Sequence, residues 1–190
     1  MPSDDELRVA MAGAMAGFAD VAGALSEADL DAASMCVGWT IRDVVEHVIG
    51  GDRFAAFVLD GGSLPDAIDA VMGVDHLGDD MVASLADASA GARAAFAGPL
   101  DRAVEHPVGT IPARRFISFR VLDQLGHTWD IAHALDRGVV LDFEAVRVAL
   151  EIVELERDML DASEHFATPP TSETDDNDPQ TTFLRAIGRG

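Results

Sequence analysis

The sequence predicts an all-α protein: a four-helix bundle with one long crossover connection and an additional C-terminal helix. Three observations carry this prediction. Apolar residues recur at intervals of three and four along five segments of the 190-residue chain. Alanine, the strongest helix former, supplies much of the 48% apolar content. Aromatic residues, which favour strands, make up only 6% of the chain, and Tyr is absent.

The first two helices have clear start signals. Residues 3–25 begin with "SDDE", a Ser N-cap followed by acids in the first turn. The stretch "SEADLDAASMCVGW" that follows is typical of a connection. The second helix starts at Thr40, because "TIRD" has the form of a capping box, and runs through Val58 to "DGGS". The pair Gly50-Gly51 in its middle either weakens this helix or lets a neighbouring group pack closely.

The middle of the chain is less regular. Residues 61–77 form a loop-like segment with at most one short turn of helix. The third helix covers 79–97, where apolar residues return at helical spacing. Residues 104–108 alternate apolar and polar side chains, which indicates a short strand or an extended arm. Pro107 would restrict such a strand to the edge of a sheet.

The last two predicted helices span 112–135 and 142–160, with Gly138 as a stop signal between them. An acidic stretch rich in Pro, Thr and Asp follows, which is typical of a linker or a strap. The final "FLRAIGRG" should dock as a short helix or fray. We therefore divide the chain into a metal-binding helical bundle over 1–166, an acidic linker or strap over 167–182, and a short C-terminal tail over 183–190.

Charge and composition exclude several classes of partner. The formal net charge is −21, and all 13 basic residues are Arg. Such acidity argues against nucleic acid and against anionic membrane surfaces. A single cysteine excludes an internal disulfide and fits a reducing compartment. The N-terminus lacks the features of a signal peptide, and no run of about 18 apolar residues exists. These features predict a cytoplasmic protein.

Three polar residues fall on faces that should point into the bundle. Asp123 and His127 lie one turn apart on the fourth helix, and His47 lies among valines on the second. Two imidazoles and a carboxylate suit zinc, nickel, iron or manganese, and three protein ligands leave positions open for chemistry. The spacing alone is also consistent with a site that holds no metal. In that alternative Asp123 pairs with Arg120, His127 hydrogen-bonds to Asp123, and His47 sits at a helix boundary.

Other candidates are open to two interpretations. Asp130, three residues after His127, either orients that imidazole or is a surface acid. Cys36 is either a thiolate near the N-terminus of the second helix or a small buried apolar residue. His133 falls on another face of its helix and should be structural or exposed. We predict no role for the remaining histidines, which are His76, His106 and His165.

Three stretches carry a resemblance to a known family. "CVGWTIRDVVEHVIGGDRF", "LDQLGHTWDIAHAL" and "DPQTTFLRAIGR" are similar to the DinB-like superfamily. The resemblance is strongest to the branch that contains mycothiol-dependent maleylpyruvate isomerase and uncharacterised actinobacterial proteins. It implies a four-helix bundle with a metal between helices, often zinc or nickel. In the superfamily pattern, the two histidine ligands correspond to His47 and His127, and the carboxylate ligand corresponds to Asp123. The isomerase has Glu at that last position.

The resemblance also implies a function. We expect a divalent metal, zinc before nickel or another transition metal, held by His47, Asp123 and His127 and supported by Asp130 and Arg120. The metal would activate a low-molecular-weight thiol such as mycothiol, which attacks a small electrophile in a transfer or an isomerisation. Hydrolysis by metal-bound water is a weaker variant.

Two other functional interpretations remain open. The isomerase has a second C-terminal domain that this chain lacks, so we do not expect the isomerase reaction itself. The alternative is a non-catalytic metal- or ligand-binding bundle with a stress or regulatory role, and a third interpretation is a helical domain without metal. We expect a small-molecule substrate and no nucleic-acid or membrane partner. A homodimer fits the superfamily, although no apolar stripe in the sequence requires one.

Overall fold

The computed structural model describes residues 1–161 and 178–189, and it confirms the predicted helical class. Among these residues the elements are α1 (Asp4–Gly23), α2 (Glu27–Leu30), α3 (Ile41–Leu59), α4 (Leu64–Val71), α5 (Met81–Phe96), β1 (Ala103–His106), β2 (Gly109–Pro112), α6 (Ala113–Ala134), α7 (Phe143–Leu155), α8 (Arg157–Asp161) and α9 (Pro179–Ala186).

Helices α1, α3, α5 and α6 form the bundle. Helix α3 packs against α5 and α6, and α1 packs against the same two helices, so the four close into a ring. Helix α7 covers α1 and α6 from outside, and α9 packs on α7. Phe183 of α9 is fully buried. Because burying such a side chain is worth about 1.5–3 kcal/mol, the C-terminal helix is part of the core.

The capped start of α3 fixes the position of His47 along the helix. The Thr40 hydroxyl accepts a hydrogen bond from the Asp43 backbone N–H at 3.2 Å, and the Asp43 carboxylate accepts one from the Thr40 N–H at 2.7 Å. This is the capping box that the sequence predicts. It satisfies two backbone donors and places His47 nearly two turns inside the helix.

The middle of the chain is more ordered than the sequence suggests. Residues Leu64–Val71 form the eight-residue helix α4, capped by Ser63, where we expected a loop with at most one turn. The helix has apolar residues at helical spacing, but it is shorter than the window of about 11–18 residues over which helical periodicity is read. The extended stretch is a hairpin in which β1 pairs antiparallel with β2, and Pro107 lies in the connecting turn.

The C-terminal region differs from its predicted boundaries. The fifth predicted helix ends at Leu155, and the short helix α8 follows it. The tail docks as a helix, but α9 begins at Pro179 rather than at residue 183. His165 and the linker residues 167–177 lie outside the described residues. Within the described part of the chain, no helix combines the length and the apolarity needed to span a bilayer.

Candidate metal centre

Helices α3 and α6 bring His47, Asp123 and His127 together. The Nε2 atom of His47 lies 3.0 Å from Oδ1 of Asp123, and the Nε2 atom of His127 lies 3.3 Å from the same oxygen. All three donor atoms are within 4.8 Å of one another. The two imidazoles meet edge to face, with ring centroids 5.1 Å apart. The three residues singled out on two separate helices therefore form one cluster.

A buried charge network holds the second oxygen of Asp123. Arg120 donates from Nη1 to Oδ2 of Asp123 at 2.7 Å, and from Nη2 and Nε to Asp52 at 2.8 and 3.1 Å. Gln124 donates to both oxygens of Asp52, which is fully buried. Buried ions need such partners, because desolvation is otherwise too costly. The network leaves Oδ1 of Asp123 facing the two histidines.

The electrostatics of the cluster follow from these contacts. Burial raises the pKa of Asp123, but the charges of His47, Arg120 and His127 outweigh burial and hold it well below its usual value. Burial lowers the pKa of His127, but Asp123 and the hydrogen bond to Asp130 raise it well above 6.5. Without a bound metal, both ring nitrogens of His127 therefore carry protons that point at carboxylates.

Asp130 holds the far side of the His127 ring. Its Oδ2 accepts from Nδ1 of His127 at 3.0 Å, and it also accepts from Nη2 of Arg189 at 2.9 Å. Arg189 lies just beyond α9 and donates from Nε to Oδ1 of Asp130 at 3.0 Å. Burial raises the pKa of Asp130, but hydrogen bonds from His127 and Arg189 lower it to about 2. Asp130 is thus a buried acid that orients His127, and the sequence did not indicate Arg189 as its partner.

The loop before α3 covers the cluster. A turn closes between the Cys36 carbonyl and the Trp39 N–H at 3.0 Å, and Gly38 adopts φ +83° there, which glycine allows without strain. The Trp39 ring stacks over that of His127 at a centroid distance of 6.4 Å and lies 5.2 Å from that of His47. The sequence analysis did not identify Trp39 as part of the site, because helical periodicity gives no information about residues in loops.

Cys36 lies closer to the cluster than either sequence interpretation suggested. Its Sγ is 3.4 Å from Oδ2 of Asp130 and 3.8 Å from Nδ1 of His127. Cys36, His127 and Asp130 thus form a second group whose donor atoms lie within 4.8 Å of one another. In that group both oxygens of Asp130 already accept from Arg189. The group around Asp123 is therefore the better candidate for a metal.

The residues of the first group fit a transition metal. Ligand atoms of a tetrahedral ion with bonds of about 2.0–2.1 Å lie about 3.3 Å apart, which matches the two separations measured from Oδ1 of Asp123. The hydrogen bond from Nδ1 of His127 to Asp130 is the usual support of a ligating histidine, since it leaves Nε2 for the metal. Ligation requires the loss of the Nε2 proton, as is general for metal sites.

A cavity of about 1060 Å³ opens beside this cluster. His47, Asp123 and Trp39 line one wall, and most of the remaining lining comes from α3, α4, α6, α8 and the β1–β2 turn. The size matches small-molecule sites, which typically measure about 300–1000 Å³. The arrangement thus offers potential metal ligands at the wall of a space that can hold a substrate.

The other histidines occupy different environments. His133 is exposed on α6 and stacks on Trp129, as predicted. His76 is 5% exposed, and its two ring nitrogens lie 2.9 Å from Arg53 and from the Val71 carbonyl. His106 lines the cavity, where burial and the charges of nearby arginines lower its pKa to about 4. We predicted no role for His76 or His106, and the sequence did not indicate that His76 is buried and His106 half-buried.

Comparisons with known proteins agree on one family. The family model of the mycothiol maleylpyruvate isomerase N-terminal domain matches residues 11–132. Uncharacterized proteins from two Mycobacterium tuberculosis strains, CDC 1551 / Oshkosh and ATCC 25618 / H37Rv, are 34% identical over 115 residues. These matches span 57% of this chain and only 56% of each relative.

Two solved structures share the fold. The crystal structure of a histidine-to-alanine mutant of the mycothiol-dependent maleylpyruvate isomerase aligns over 100% of this chain and 90% of that chain, with a TM-score of 0.62 and 16% identity. The crystal structure of the unmutated isomerase aligns over the same shares with a TM-score of 0.57 and 17% identity. At this identity the likeness shows the fold alone. The match of the family model over residues 11–132, more than half of the chain, establishes that the chain belongs to the mycothiol maleylpyruvate isomerase N-terminal domain family.

Proposed function

We propose that this protein is a metal-dependent enzyme that uses a low-molecular-weight thiol of the mycothiol type to attack a small electrophile. The observation that carries the proposal is the convergence of three ligand-type atoms, from His47, Asp123 and His127, beside a cavity of substrate size that His47 and Asp123 line. The family description supplies the thiol, since it names mycothiol. Zinc is the metal we expect, because two imidazoles and one carboxylate suit it.

The chain's own residues have distinct roles in this proposal. His47, Asp123 and His127 would hold the metal, which supplies charge that lowers the pKa of a bound thiol. Arg120 fixes Oδ2 of Asp123, so that Oδ1 stays directed at the two imidazoles. Asp130 accepts the Nδ1 proton of His127 and keeps Nε2 as the ligating atom.

The chemistry of transfer is a substitution. The thiolate sulfur bonds to an electrophilic carbon, the leaving group departs with its bonding electrons, and the proton of the thiol passes to solvent. In an isomerisation the same thiolate would add to the substrate and later be eliminated.

Conjugation of mycothiol with chlorodinitrobenzene tests this proposal. Zinc-loaded protein should accelerate release of chloride, and His127→Ala should lower that rate at least about 100-fold. His133→Ala is the matched control, because His133 lies on the same helix outside the cluster. Equal rates for wild type and His127→Ala would contradict the proposal. Release of chloride at the same rate without thiol would show that water, not the thiol, is the nucleophile.

A further inference from the structure

The cavity beside the cluster is mainly apolar. Its walls include three phenylalanines, from α3 and α6, together with side chains of α4 and the β1–β2 turn; the residues that matter here are Phe54, Phe116, Phe119, Met72 and Val108. Surfaces of this kind bind aromatic or aliphatic groups through burial of apolar area. An ionised group that enters such a cavity loses its hydrogen bonds to water, and the apolar walls provide none in return.

Arg120 is the one arginine that lines the cavity within the described residues, and its hydrogen-bond donors are already occupied. It is 5% exposed, and its donors reach Asp52, Asp123 and the Val48 carbonyl. Its single positive charge is paired with the carboxylates of Asp52 and Asp123. Arg120 therefore has no charge left to neutralise an anionic ligand.

The other basic groups that line the cavity within the described residues are engaged elsewhere: Nε2 of His47 lies 3.0 Å from Asp123, and both ring nitrogens of His76 lie 2.9 Å from protein partners. Asp43, Glu46 and Asp75 line it and add negative charge. The pKa of His106 is lowered to about 4 by burial first and by Arg115 and Arg120 next, so this ring is neutral at pH 7. A divalent ion would add two positive charges and a bound thiolate one negative charge, and the three acids that line the cavity outweigh the single charge that remains.

We propose that the electrophile this site takes is uncharged and largely apolar, of the size of a substituted aromatic ring, and that compounds carrying a carboxylate are excluded. The proposal rests on the proposed function for the reaction, but the selectivity it describes is a property of the cavity alone. It departs from the named reaction of the solved relatives, since maleylpyruvate is a dicarboxylate at neutral pH.

The direct test is a binding measurement with two unreactive probes that differ in one carboxylate. Dinitrobenzene and dinitrobenzoate both quench tryptophan fluorescence, and Trp39 lines the cavity. Trp129→Phe removes the second of the two tryptophans, so the signal then reports on the cavity. Dinitrobenzene should bind the metal-free protein at least about tenfold more tightly than dinitrobenzoate. Equal or tighter binding of dinitrobenzoate, or no binding of either probe, would overturn the proposal.

A charge-gain variant tests the cause of the selectivity. Met72 lines the cavity and is 70% exposed, so Met72→Arg should be tolerated and should strengthen dinitrobenzoate binding about fivefold or more. Val82→Arg is the matched control, because Val82 is also exposed, at 55%, but lies on α5 away from the cavity. An equal change in both variants, or none in Met72→Arg, would count against the charge argument.

Turnover separates this proposal from the proposed function. If the protein prefers dinitrobenzene but conjugates no electrophile, the enzyme assignment fails and the cavity assignment stands. If it conjugates thiol to chlorodinitrobenzoate faster than to chlorodinitrobenzene, after correction for the uncatalysed rates, the cavity assignment fails and the enzyme assignment stands.

Discussion

The two carboxylate oxygens of Asp123 have different partners. The sequence left open whether this carboxylate pairs with Arg120 or ligates a metal beside His127. In the folded chain Oδ2 accepts from Arg120 at 2.7 Å, while Oδ1 lies 3.0 Å and 3.3 Å from the two Nε2 atoms. The two interpretations are therefore compatible, because one carboxylate oxygen is anchored and the other is directed toward the candidate centre.

Removal of Arg120 should destabilise the protein strongly. Arg120→Leu leaves the fully buried Asp52 without its cationic partner, and breaking a buried ion pair typically costs about 3–5 kcal/mol. Urea denaturation monitored by circular dichroism measures the change in unfolding free energy. Arg93→Leu, at an exposed position of α5, is the control and should change it by less than about 0.5 kcal/mol. A similar small loss for both variants would mean that the network contributes nothing to stability.

His106 should make the protein sensitive to acid. Because the pKa of its imidazole is about 4 in the folded protein and 6.5 when unperturbed, the unfolded chain binds the proton more readily. The stabilising contribution of the neutral ring is complete above pH 6.5 and is lost as the pH falls through 4. Because the ring is only half-buried, solvent screening reduces the effect, and between pH 7 and 4.5 the wild type should lose about 1 kcal/mol more than His106→Phe, as measured by urea midpoints at both pH values. Parallel losses in the two proteins would contradict this assignment.

At the scale of the elements, the contact between α3 and α6 depends on a residue without a side chain. A Cβ atom at Gly51 would lie 2.3 Å from Nη1 of Arg120, and one at Gly50 would lie 3.0 Å from Nε2 of His76. Of the two interpretations of this glycine pair, close packing is the one observed. The pair lets the Arg120 guanidinium lie directly against the backbone of α3.

Substitution by alanine at Gly51 and at Gly17 should change the stability of the protein in opposite directions. Gly51→Ala forces the Arg120 guanidinium to move and should destabilise the protein by about 1–3 kcal/mol. Gly17→Ala lies in α1 with nothing within 4 Å of the added Cβ, so it should stabilise the helix by about 0.5–1 kcal/mol. Differential scanning calorimetry of both variants checks the signs. A gain in stability for Gly51→Ala would show that Arg120 packs elsewhere.

The long helices were predictable because their signals are local. The capping box at Thr40 and the apolar stripes of α1, α3, α5 and α6 are patterns within one segment, and all are found in the structure. Helix α4 was underestimated because its eight residues are fewer than the window of about 11–18 residues over which helical periodicity is read, although its apolar residues recur at helical spacing. Only the first strand of the β1–β2 hairpin was predicted. The second strand is defined by its pairing with β1, which a short stretch of sequence does not reveal.

At the scale of the whole molecule, the C-terminal segment reaches the candidate centre. Phe183 and Ile187 are fully buried, and Arg189 bonds to both oxygens of Asp130, which in turn holds His127. Periodicity identified Asp123 and His127 on the inward face of α6. It also predicted that His47 points into the bundle, whereas the His47 side chain is 40% exposed and lines the cavity. It could not identify Arg189, Cys36 or Trp39, since their positions depend on how separate loops and the tail fold against α6.

Loss of Arg189 should weaken metal binding without abolishing it. Arg189→Met removes the guanidinium that holds Asp130, and such supporting contacts typically contribute about 10–100-fold to metal affinity. Competition with a chromogenic chelator measures the zinc dissociation constant. Arg189→Lys should recover part of the affinity, whereas a merely structural defect would also appear in Arg185→Met on the same tail. Unchanged affinity in Arg189→Met would show that the tail does not support the centre.

The zinc content of the purified protein tests the central claim most directly. After loading with zinc and removal of unbound metal, elemental mass spectrometry should find about one zinc per chain in the wild type and in His133→Ala. His47→Ala and His127→Ala should retain less than about a tenth of that amount, because each loses one of three ligands. The same zinc content in all four proteins, or none in the wild type, would contradict a metal centre at His47, Asp123 and His127.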